Sequence, residues 1–269
     1  MKIGFLITAR LKSSRLPLKL LLDLNGKTIL ERVIERCKKV ADVSDIILCT
    51  SLNPQDKALV DCAKKNDIYY FLGDEMDVLR RLSDAASFYN LDYIINITGE
   101  NPLFSIYHAD IVVDLAKKGR HDFIFIEGLP VGCAIYGIRP EALKTVCSFK
   151  QEIDTEIWGP LINRPEIFDV KKVEVTKEIQ LSNIRITCDY IEDYLFILEI
   201  FKHFPSDHVP SYFEVFKLLK EKPELMEINS SRVQAGLLEE TLLRINEFFV
   251  KNKNRIEELK REFYLYDKR

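Results

Sequence analysis

The stretch ITARLKSSRLPLKLL, residues 7–21, decides the fold and the chemistry of this chain, because it places a basic loop directly after an apolar run. The run KIGFLITA, residues 2–9, has the apolar character of a buried strand. The basic loop contains four cations and no acid: Arg10, Lys12, Arg15 and Lys19. Positive charge concentrated at the end of a core strand indicates either a solvated basic loop or a site that binds an anion.

Strand and helix patterns alternate beyond this stretch, and the alternation predicts an α/β fold. It is typical of a Rossmann-like, mainly parallel sheet that is flanked by helices. Later strands with less helix between them predict mixed or antiparallel additions, and the chain after Tyr190 is mostly helical in pattern. Helices are predicted at 27–40, 55–66 and 77–90, and strands at 2–9, 45–50, 92–99, 122–127, 133–138, 170–175 and 183–189.

The composition excludes several classes of protein. The chain has 269 residues, 47% of them hydrophobic, and its net charge of −3 is too balanced for a nucleic-acid binder. Its six cysteines show no CxxC spacing, and we interpret them as reduced core residues of a cytoplasmic protein. No apolar run reaches the roughly 18–20 residues of a membrane span, and the first residues lack signal-peptide features. We therefore expect a cytoplasmic location, no nucleic-acid partner and no membrane.

Two familiar phosphate-binding motifs are missing. The dinucleotide fingerprint GxGxxG is absent, and NGKT at 25–28 lacks the first glycine of a P-loop, because Leu21 stands at that position. A phosphate would then be bound by side chains: arginine suits bidentate contact with phosphate oxygens, and lysine supplies a point charge. Ligands of open parallel sheets bind beyond the carboxyl ends of the strands, which here are followed by 9–19, 50–53 and 99–102.

The segment TARLKSSRLPLKLLLDLNGKTILERVIER, residues 8–36, resembles the opening of the sugar cytidylyltransferases. That group includes the activating enzymes for ketodeoxyoctonate and sialic acids and, more similar to this chain, the spore coat polysaccharide biosynthesis family. Thr28 stands where the family usually has proline. The matching positions are Ala9, Arg10, Ser14, Arg15, Leu16, Pro17, Lys19, Gly26 and Lys27.

The resemblance extends over roughly residues 1–232. It implies the nucleotide-diphospho-sugar transferase type of Rossmann-like fold. It also implies transfer of CMP from CTP to a sugar or sugar-phosphate acceptor, with release of pyrophosphate, for surface glycan biosynthesis. Two alternatives stay open: a guanylyl or uridylyl donor, and a nucleotide-binding protein without catalysis. The further matching segments are FLGDEMDVLRRLSDAA (71–86), IINITGENPLF (94–104), IRITCDYIEDYLFI (184–197) and LLKEKPELMEINSS (218–231).

The nucleotide site follows from the same resemblance. Arg10, Arg15 and Lys19 would neutralise the triphosphate and act as the catalytic cations, since positioning and charge carry most of phosphoryl-type transfer. Arg81 either contacts the base or pairs with Asp77, four residues earlier on its predicted helix. The other implied nucleotide-binding residues are Thr8, Ala9, Ser14, Thr50, Ser51, Thr98 and Gly99.

A magnesium site is implied beside the nucleotide. Mg²⁺ prefers hard oxygen ligands, usually one or two carboxylates together with substrate phosphates. By family position these carboxylates are Glu100, where relatives have aspartate, and Asp189. The longer Glu100 is the one feature that favours the non-catalytic alternative. Asp193 is either functional or an acid that interacts with the dipole of the next helix. Lys12 either contacts phosphate or faces solvent, and Lys27 either contacts phosphate or covers the end of the helix that it begins.

The acceptor site departs most from the family. Tyr136 stands about where relatives have glutamate, and EIWGPL at 156–161 keeps the family's glutamate and proline but loses its histidine and threonine. Trp158, the only tryptophan, walls the acceptor pocket or belongs to the core or to a subunit contact. The expected acceptor-binding residues are Asn101, Gly132, Tyr136, Glu156 and Trp158.

The last part of the chain is predicted to be a helical extension. We divide the chain into a nucleotidyltransferase domain at 1–235 and an extension at 236–269, whose helical character is interrupted by KNKN at 251–254. A helix appended to a finished domain must bury its apolar face, so we expect a homodimer contact, with folding back onto its own domain as the alternative. The apolar stripe consists of Leu238, Leu242, Ile245, Phe249, Ile256, Leu259 and Phe263.

Overall fold

The computed structural model describes residues 1–181 and 184–266, and the described strands form one seven-stranded sheet. The strands are β1 (Ile3–Thr8), β2 (Asp45–Ser51), β3 (Tyr69–Gly73), β4 (Tyr93–Thr98), β5 (Phe123–Glu127), β6 (Tyr136–Ile138) and β7 (Val170–Glu174). Their order is β3-β2-β1-β4-β6-β5-β7. β6 runs antiparallel to β4 and β5, and the other pairs are parallel. The predicted α/β, mainly parallel sheet with mixed additions is confirmed.

Helices cover both faces of this sheet. They are α1 (Ile29–Cys37), α2 (Lys57–Lys65), α3 (Val78–Phe88), α4 (Ile106–Gly119), α5 (Pro140–Phe149), α6 (Gly159–Ile162), α7 (Ile191–Lys202), α8 (Tyr212–Glu221) and α9 (Glu239–Tyr266). Within residues 1–181 and 184–266, no helix has both the length and the apolar composition that a bilayer crossing requires.

β1 shows why the sheet is buried on both faces. Phe5 packs into a core cluster that includes Val33 of α1, while its neighbour Leu6 packs into a second cluster that includes Leu82 of α3 and Leu143 of α5. Successive side chains of a strand point to opposite faces, so a strand covered on both sides needs a continuous apolar run. The run at the start of the chain has this composition, which is why it predicts β1 well.

The predicted strand at 183–189 is wrong. Residue 183 lies outside the described residues, and the remainder forms a single bridge between Arg185 and Val131. Other partners take the neighbouring backbone groups, since the Cys188 N–H donates to the carbonyl of Glu100 at 3.0 Å. The sequence also predicted β6 too long, at 133–138, and missed β3, an edge strand whose side chains are only partly buried.

The C-terminal helix α9 folds back onto its own domain. Ile245, Phe249 and Ile256 are at most 2% exposed, and the Phe249 ring lies 5.2 Å from that of Phe149 in α5. Except for Leu238, which is 75% exposed, the residues of the stripe are buried or partly buried. The stripe therefore does not need a partner subunit, and the reason given for a dimer contact is wrong. The predicted interruption at 251–254 is also wrong, because α9 runs through it without a break. Residues 267–269 of the extension lie outside the described residues.

Candidate active site

The carboxyl ends of three strands meet at one edge of the sheet. Thr8, at the end of β1, is paired with Cys49 of β2 on one side and with Thr98 of β4 on the other. The Gly99 N–H donates to the Thr8 carbonyl at 2.8 Å. A Cβ at Gly99 would lie 3.1 Å from the Cβ of Ala9, so a side chain here would require the two strand ends to move a few tenths of an ångström apart. The basic loop thus begins beside the segment that carries Glu100.

Asp189 lies at the centre of a cluster of cations. It is 5% exposed, and its Oδ1 accepts hydrogen bonds from Arg15 Nη2 at 2.9 Å and Lys19 Nζ at 2.8 Å. Its Oδ2 accepts from Arg185 Nη2 at 3.2 Å. Burial alone would raise the pKa of Asp189, but the charge and hydrogen bond of Lys19, with help from Arg15 and Arg185, lower it overall. The carboxylate is therefore held ionised inside the fold.

Lys19 binds one of the two predicted metal carboxylates and lies near the other. It is 7% exposed, and burial by itself lowers its pKa, while the charges of Glu100 and Asp189 raise it further than burial lowers it. The backbone hydrogen bond from Cys188 to Glu100 joins the two segments that carry these acids. Among residues 1–181 and 184–266, no group of three or more His, Cys, Asp or Glu side chains could hold a metal. Two carboxylates are nevertheless a usual number for Mg²⁺ when phosphate oxygens complete its ligands.

Asp193 binds the backbone that carries Asp189 and one of the cations around it. It is fully buried, and its Oδ2 accepts from the backbone N–H groups of Asp189 and Tyr190 at 3.0 Å each and from Arg185 at 3.0 Å. Asn229 Nδ2 donates to its Oδ1 at 2.9 Å. Both oxygens of this carboxylate therefore have hydrogen-bond donors, and Asp193 holds Asp189 in position just before α7.

Arg10 has different hydrogen-bond partners from Arg15 and Lys19. Its Nη2 is 2.8 Å from Glu156 Oε2, and its Nη1 donates to the Glu75 carbonyl at 3.3 Å. Its ion pair bridges the basic loop and the predicted acceptor segment. The three predicted catalytic cations therefore bind two different acids: Arg15 and Lys19 bind Asp189, and Arg10 binds Glu156.

The two lysines whose roles were open make contacts with acids. Lys12 is well exposed and lies 3.2 Å from Glu75, and Lys27 pairs with Glu35 of α1. Both contacts are compatible with surface positions. Among the described residues, Asp189 forms ion pairs with Arg15, Lys19 and Arg185, and not with Lys12 or Lys27.

A cleft of about 600 Å³ opens beside β2 and β3. Arg81 is 1% exposed and donates to the Asp74 carbonyl at 2.6 Å, so it holds the backbone of the loop that lines this cleft. The alternative pairing of Arg81 with Asp77 is wrong, because the Asp77 carboxylate accepts from Thr155 at 2.9 Å and from Lys150. The cleft is lined by Leu52, Asn53, Gly73, Asp74, Glu75, Arg80 and Asp84.

The predicted acceptor residues are divided between the site and the core. Asn101 is 9% exposed, and its Oδ1 is buried with no hydrogen-bond partner among the described residues. Gly132 has φ +94°, and a Cβ there would lie 2.6 Å from the Ile186 carbonyl oxygen, so the turn requires glycine. Trp158 is 5% exposed and its ring packs 5.1 Å from that of Tyr136, which favours the core alternative for Trp158.

The sequence did not indicate Asp56 as part of the site. Its carboxylate accepts from the hydroxyls of Thr50 and Ser51 at 3.0 and 2.6 Å. Both residues were predicted to bind the nucleotide directly, and the structure instead places their side chains on this acid. An aspartate at the start of a helix is usually interpreted as a cap, so the pattern NPQDKALV at 53–60 contained no signal of another role.

Comparison with known proteins decides the family. The model of a family described as "Cytidylyltransferase" matches residues 5–191, a range that contains the basic loop, Glu100 and Asp189. The chain belongs to the cytidylyltransferase family. The resemblance and the predicted class of enzyme, a nucleotidyltransferase, are confirmed.

Individual relatives agree with this membership. An uncharacterised protein of Methanocaldococcus jannaschii is 34% identical to this cytidylyltransferase over 233 residues, which cover 86% of this chain and 96% of that one. The spore coat polysaccharide biosynthesis protein SpsF of Bacillus subtilis is 24% identical, covering 82% and 95% of the two chains. The structure of a cytidylyltransferase from Leptospira borgpetersenii serovar Hardjo-bovis superimposes with a TM-score of 0.78 at 27% identity, over 88% of this chain and all (100%) of that one.

Proposed function

We propose that this chain transfers CMP from CTP to a sugar or sugar-phosphate acceptor, releases pyrophosphate, and serves the synthesis of a surface glycan. The observation that carries the proposal is the Asp189 cluster, in which Arg15 and Lys19 of the loop after β1 donate hydrogen bonds to a buried, ionised carboxylate. Family membership supports the cytidylyl donor. The name of the Bacillus relative supports a role in polysaccharide synthesis.

The reaction requires charge and position more than covalent chemistry. An oxygen of the acceptor attacks the α-phosphorus of CTP, the bond from that phosphorus to the oxygen bridging to the β-phosphorus breaks, and pyrophosphate leaves. A hydroxyl nucleophile gives its proton to water, whereas an ionised phosphate nucleophile has none to lose. Arg15 and Lys19 turn from Asp189 to the phosphate oxygens, and Arg10 turns from Glu156 in the same way. Lys19 is buried, so its charge is little screened by solvent and acts strongly on the leaving group.

The acids at the strand ends suit a divalent cation, which we propose is Mg²⁺. Their oxygens are hard ligands, and movement of Arg15 and Lys19 to the phosphates would free Oδ1 of Asp189 for the ion. Glu100 is longer than the aspartate of relatives but offers the same oxygens. When bound, the ion would neutralise charge on the phosphate oxygens of CTP.

Other residues are proposed to bind the base of CTP and the acceptor. We assign the base of CTP to the cleft beside β2 and β3, whose loop backbone is held by Arg81. Asn101 offers its Oδ1, which has no partner in the described part of the chain, to a hydroxyl of the acceptor, and Glu156 offers its carboxylate once Arg10 has moved. A guanylyl or uridylyl donor is the second candidate for the base.

Pyrophosphate release tests the proposal. We expect release from CTP that depends on Mg²⁺ when the enzyme is given the right member of a panel of sialic-acid-like sugars, ketodeoxy sugars, and sugar or polyol phosphates. Faster release from GTP or UTP would assign another base. Tight binding of CTP in calorimetry without turnover across the whole panel would favour the nucleotide-binding protein without catalysis.

We further propose that the protein works in the cytoplasm as a homodimer. All six cysteines are free thiols, as is usual in a reducing compartment. The outer side of α9 leaves Leu243 and Val250 exposed at 55% and 80%, which offers an apolar contact for a second copy. We expect a dimer in light scattering at micromolar concentration and a monomer for Val250→Asp. A wild-type monomer would contradict the dimer, and a Val250→Asp dimer would move the interface elsewhere.

A further inference from the structure

The carboxylate of Asp56 connects the end of β2 with the basic loop. Asp56 is 2% exposed, and it accepts four hydrogen bonds from three residues. Its Oδ1 accepts from the Leu11 N–H at 2.7 Å. Its Oδ2 accepts from the Thr50 hydroxyl at 3.0 Å and from the hydroxyl and N–H of Ser51 at 2.6 and 3.3 Å. A buried carboxylate with this many donors is held in one orientation.

Asp56 does not perform the usual task of its position. It is the N-cap residue of α2, yet its side chain makes no capping hydrogen bond. Asn53 caps the preceding 3-10 turn instead, with its Oδ1 accepting from the Gln55 N–H at 3.0 Å. An N-cap aspartate normally accepts from its own helix. The carboxylate of Asp56 is directed away from α2 and toward the loop that follows β1.

The bond to Leu11 fixes the backbone on the far side of Arg10. On the near side, the Ala9 N–H donates to the Cys49 carbonyl at 3.1 Å. Arg10 is therefore bracketed by two hydrogen bonds, one to Cys49 in β2 and one to Asp56 at the start of α2. Its side chain extends from this fixed point to Glu156 and to the Glu75 carbonyl.

We propose that Asp56 is a positioning residue for Arg10: it sets the backbone at 9–11 so that the Arg10 guanidinium can reach the phosphates of CTP. The inference rests on the proposed function. It also gives Thr50 and Ser51 a different task from direct contact with the nucleotide, because their hydroxyls orient the Asp56 carboxylate. The geometry of the loop, and not the charge of Asp56, is what Arg10 depends on.

A double-mutant cycle on CTP affinity tests this dependence. Asp56→Ala should raise the calorimetric Kd for CTP roughly tenfold, the scale on which loss of a supporting hydrogen-bond partner acts on a ligand-binding residue. In an Arg10→Ala protein the same change should have little further effect, because the residue that Asp56 positions is already absent. An equal loss in both backgrounds, or an unchanged Kd in the single variant, overturns the proposal.

Two variants separate positioning from general damage. Asp56→Asn should recover part of the affinity: its Oδ1 can accept from the Leu11 N–H and the two hydroxyls can turn to accept from its amide, but the Ser51 N–H loses its acceptor. Asp61→Ala removes an exposed acid of α2 and should leave the Kd unchanged. If Asp56→Ala does not fold, Ser51→Ala removes the shortest bond to the carboxylate and should raise the Kd only in the protein that has Arg10.

Hydrogen exchange distinguishes failure of this inference from failure of the proposed function. The Leu11 amide should exchange faster in Asp56→Ala than in wild type, in the absence of any nucleotide. A wild-type protein that does not bind CTP would refute the proposed function. An unchanged exchange rate at Leu11 would refute the positioning role, whatever the protein binds.

Discussion

Replacing Arg15 with alanine is expected to lower turnover at least about a hundredfold. One preorganised charge contact at the reacting group contributes about 2.7–4 kcal/mol to the transition state. Arg15 is a loop residue whose side chain is 31% exposed, and Asp189 keeps Lys19 and Arg185 as partners without it. The variant should therefore fold. Pyrophosphate release under saturating CTP, together with a thermal melt, measures both parts of this expectation.

Lys12→Ala is the matched control for Arg15→Ala. Lys12 belongs to the same loop, but its side chain is 64% exposed and lies 3.2 Å from Glu75, away from Asp189. Its removal should change turnover by less than about threefold, as expected for an exposed ion pair. Equal losses from the two variants would show that the loop acts through its overall charge. An unchanged rate, or an unfolded protein, in Arg15→Ala would count against the assigned role.

Replacing Asp189 with asparagine is expected to raise the Mg²⁺ concentration for half-maximal rate by roughly tenfold or more. The change keeps the size of the side chain and removes the charge that attracts a hard cation, and changes to the hydrogen-bonded partners of metal ligands alone already cost about 10–100-fold. It also removes one of the two acids that keep the pKa of the buried Lys19 raised. The measurement is a magnesium titration of the rate at fixed CTP.

Glu192→Gln is the control for this titration. Glu192 follows Asp189 closely in the chain, but its carboxylate binds Arg232 at 2.6 Å instead of the cations of the basic loop. Its replacement should leave the magnesium dependence unchanged. If the rate of Asp189→Asn falls while its magnesium dependence stays that of wild type, Asp189 acts on the acceptor or on the scaffold and not on the metal.

Several parts of this protein follow from local sequence. β1 and β4 are recognised because a parallel strand covered on both faces must be apolar throughout. The basic loop is recognised because its four cations lie within ten consecutive residues. The strand ends converge because parallel neighbours in a sheet have the same direction, so the loops after β1 and β4 had to meet.

Other parts depend on contacts between distant segments. Lys19 and Asp189 are 170 residues apart in the chain, and the three cations around that acid come from two separate loops. Asp56 stands at the start of a helix, where an aspartate is usually a cap. Its hydrogen bond from the Leu11 N–H forms because the end of β2 lies beside β1. The apolar stripe of α9 was expected to contact a partner subunit, and the structure packs it against its own domain, which was the alternative.

The difference has one physical reason. Periodicity and composition report which face of a segment avoids water, and this determined most strands, the first three helices and the basic loop from sequence alone, but not β3 or the extent of β6. Neither property reports which other segment covers that face or supplies the counter-charge. The tertiary structure made those choices, since it placed Asp189 beside Arg15 and Lys19, Asp56 beside Leu11, and α5 against α9.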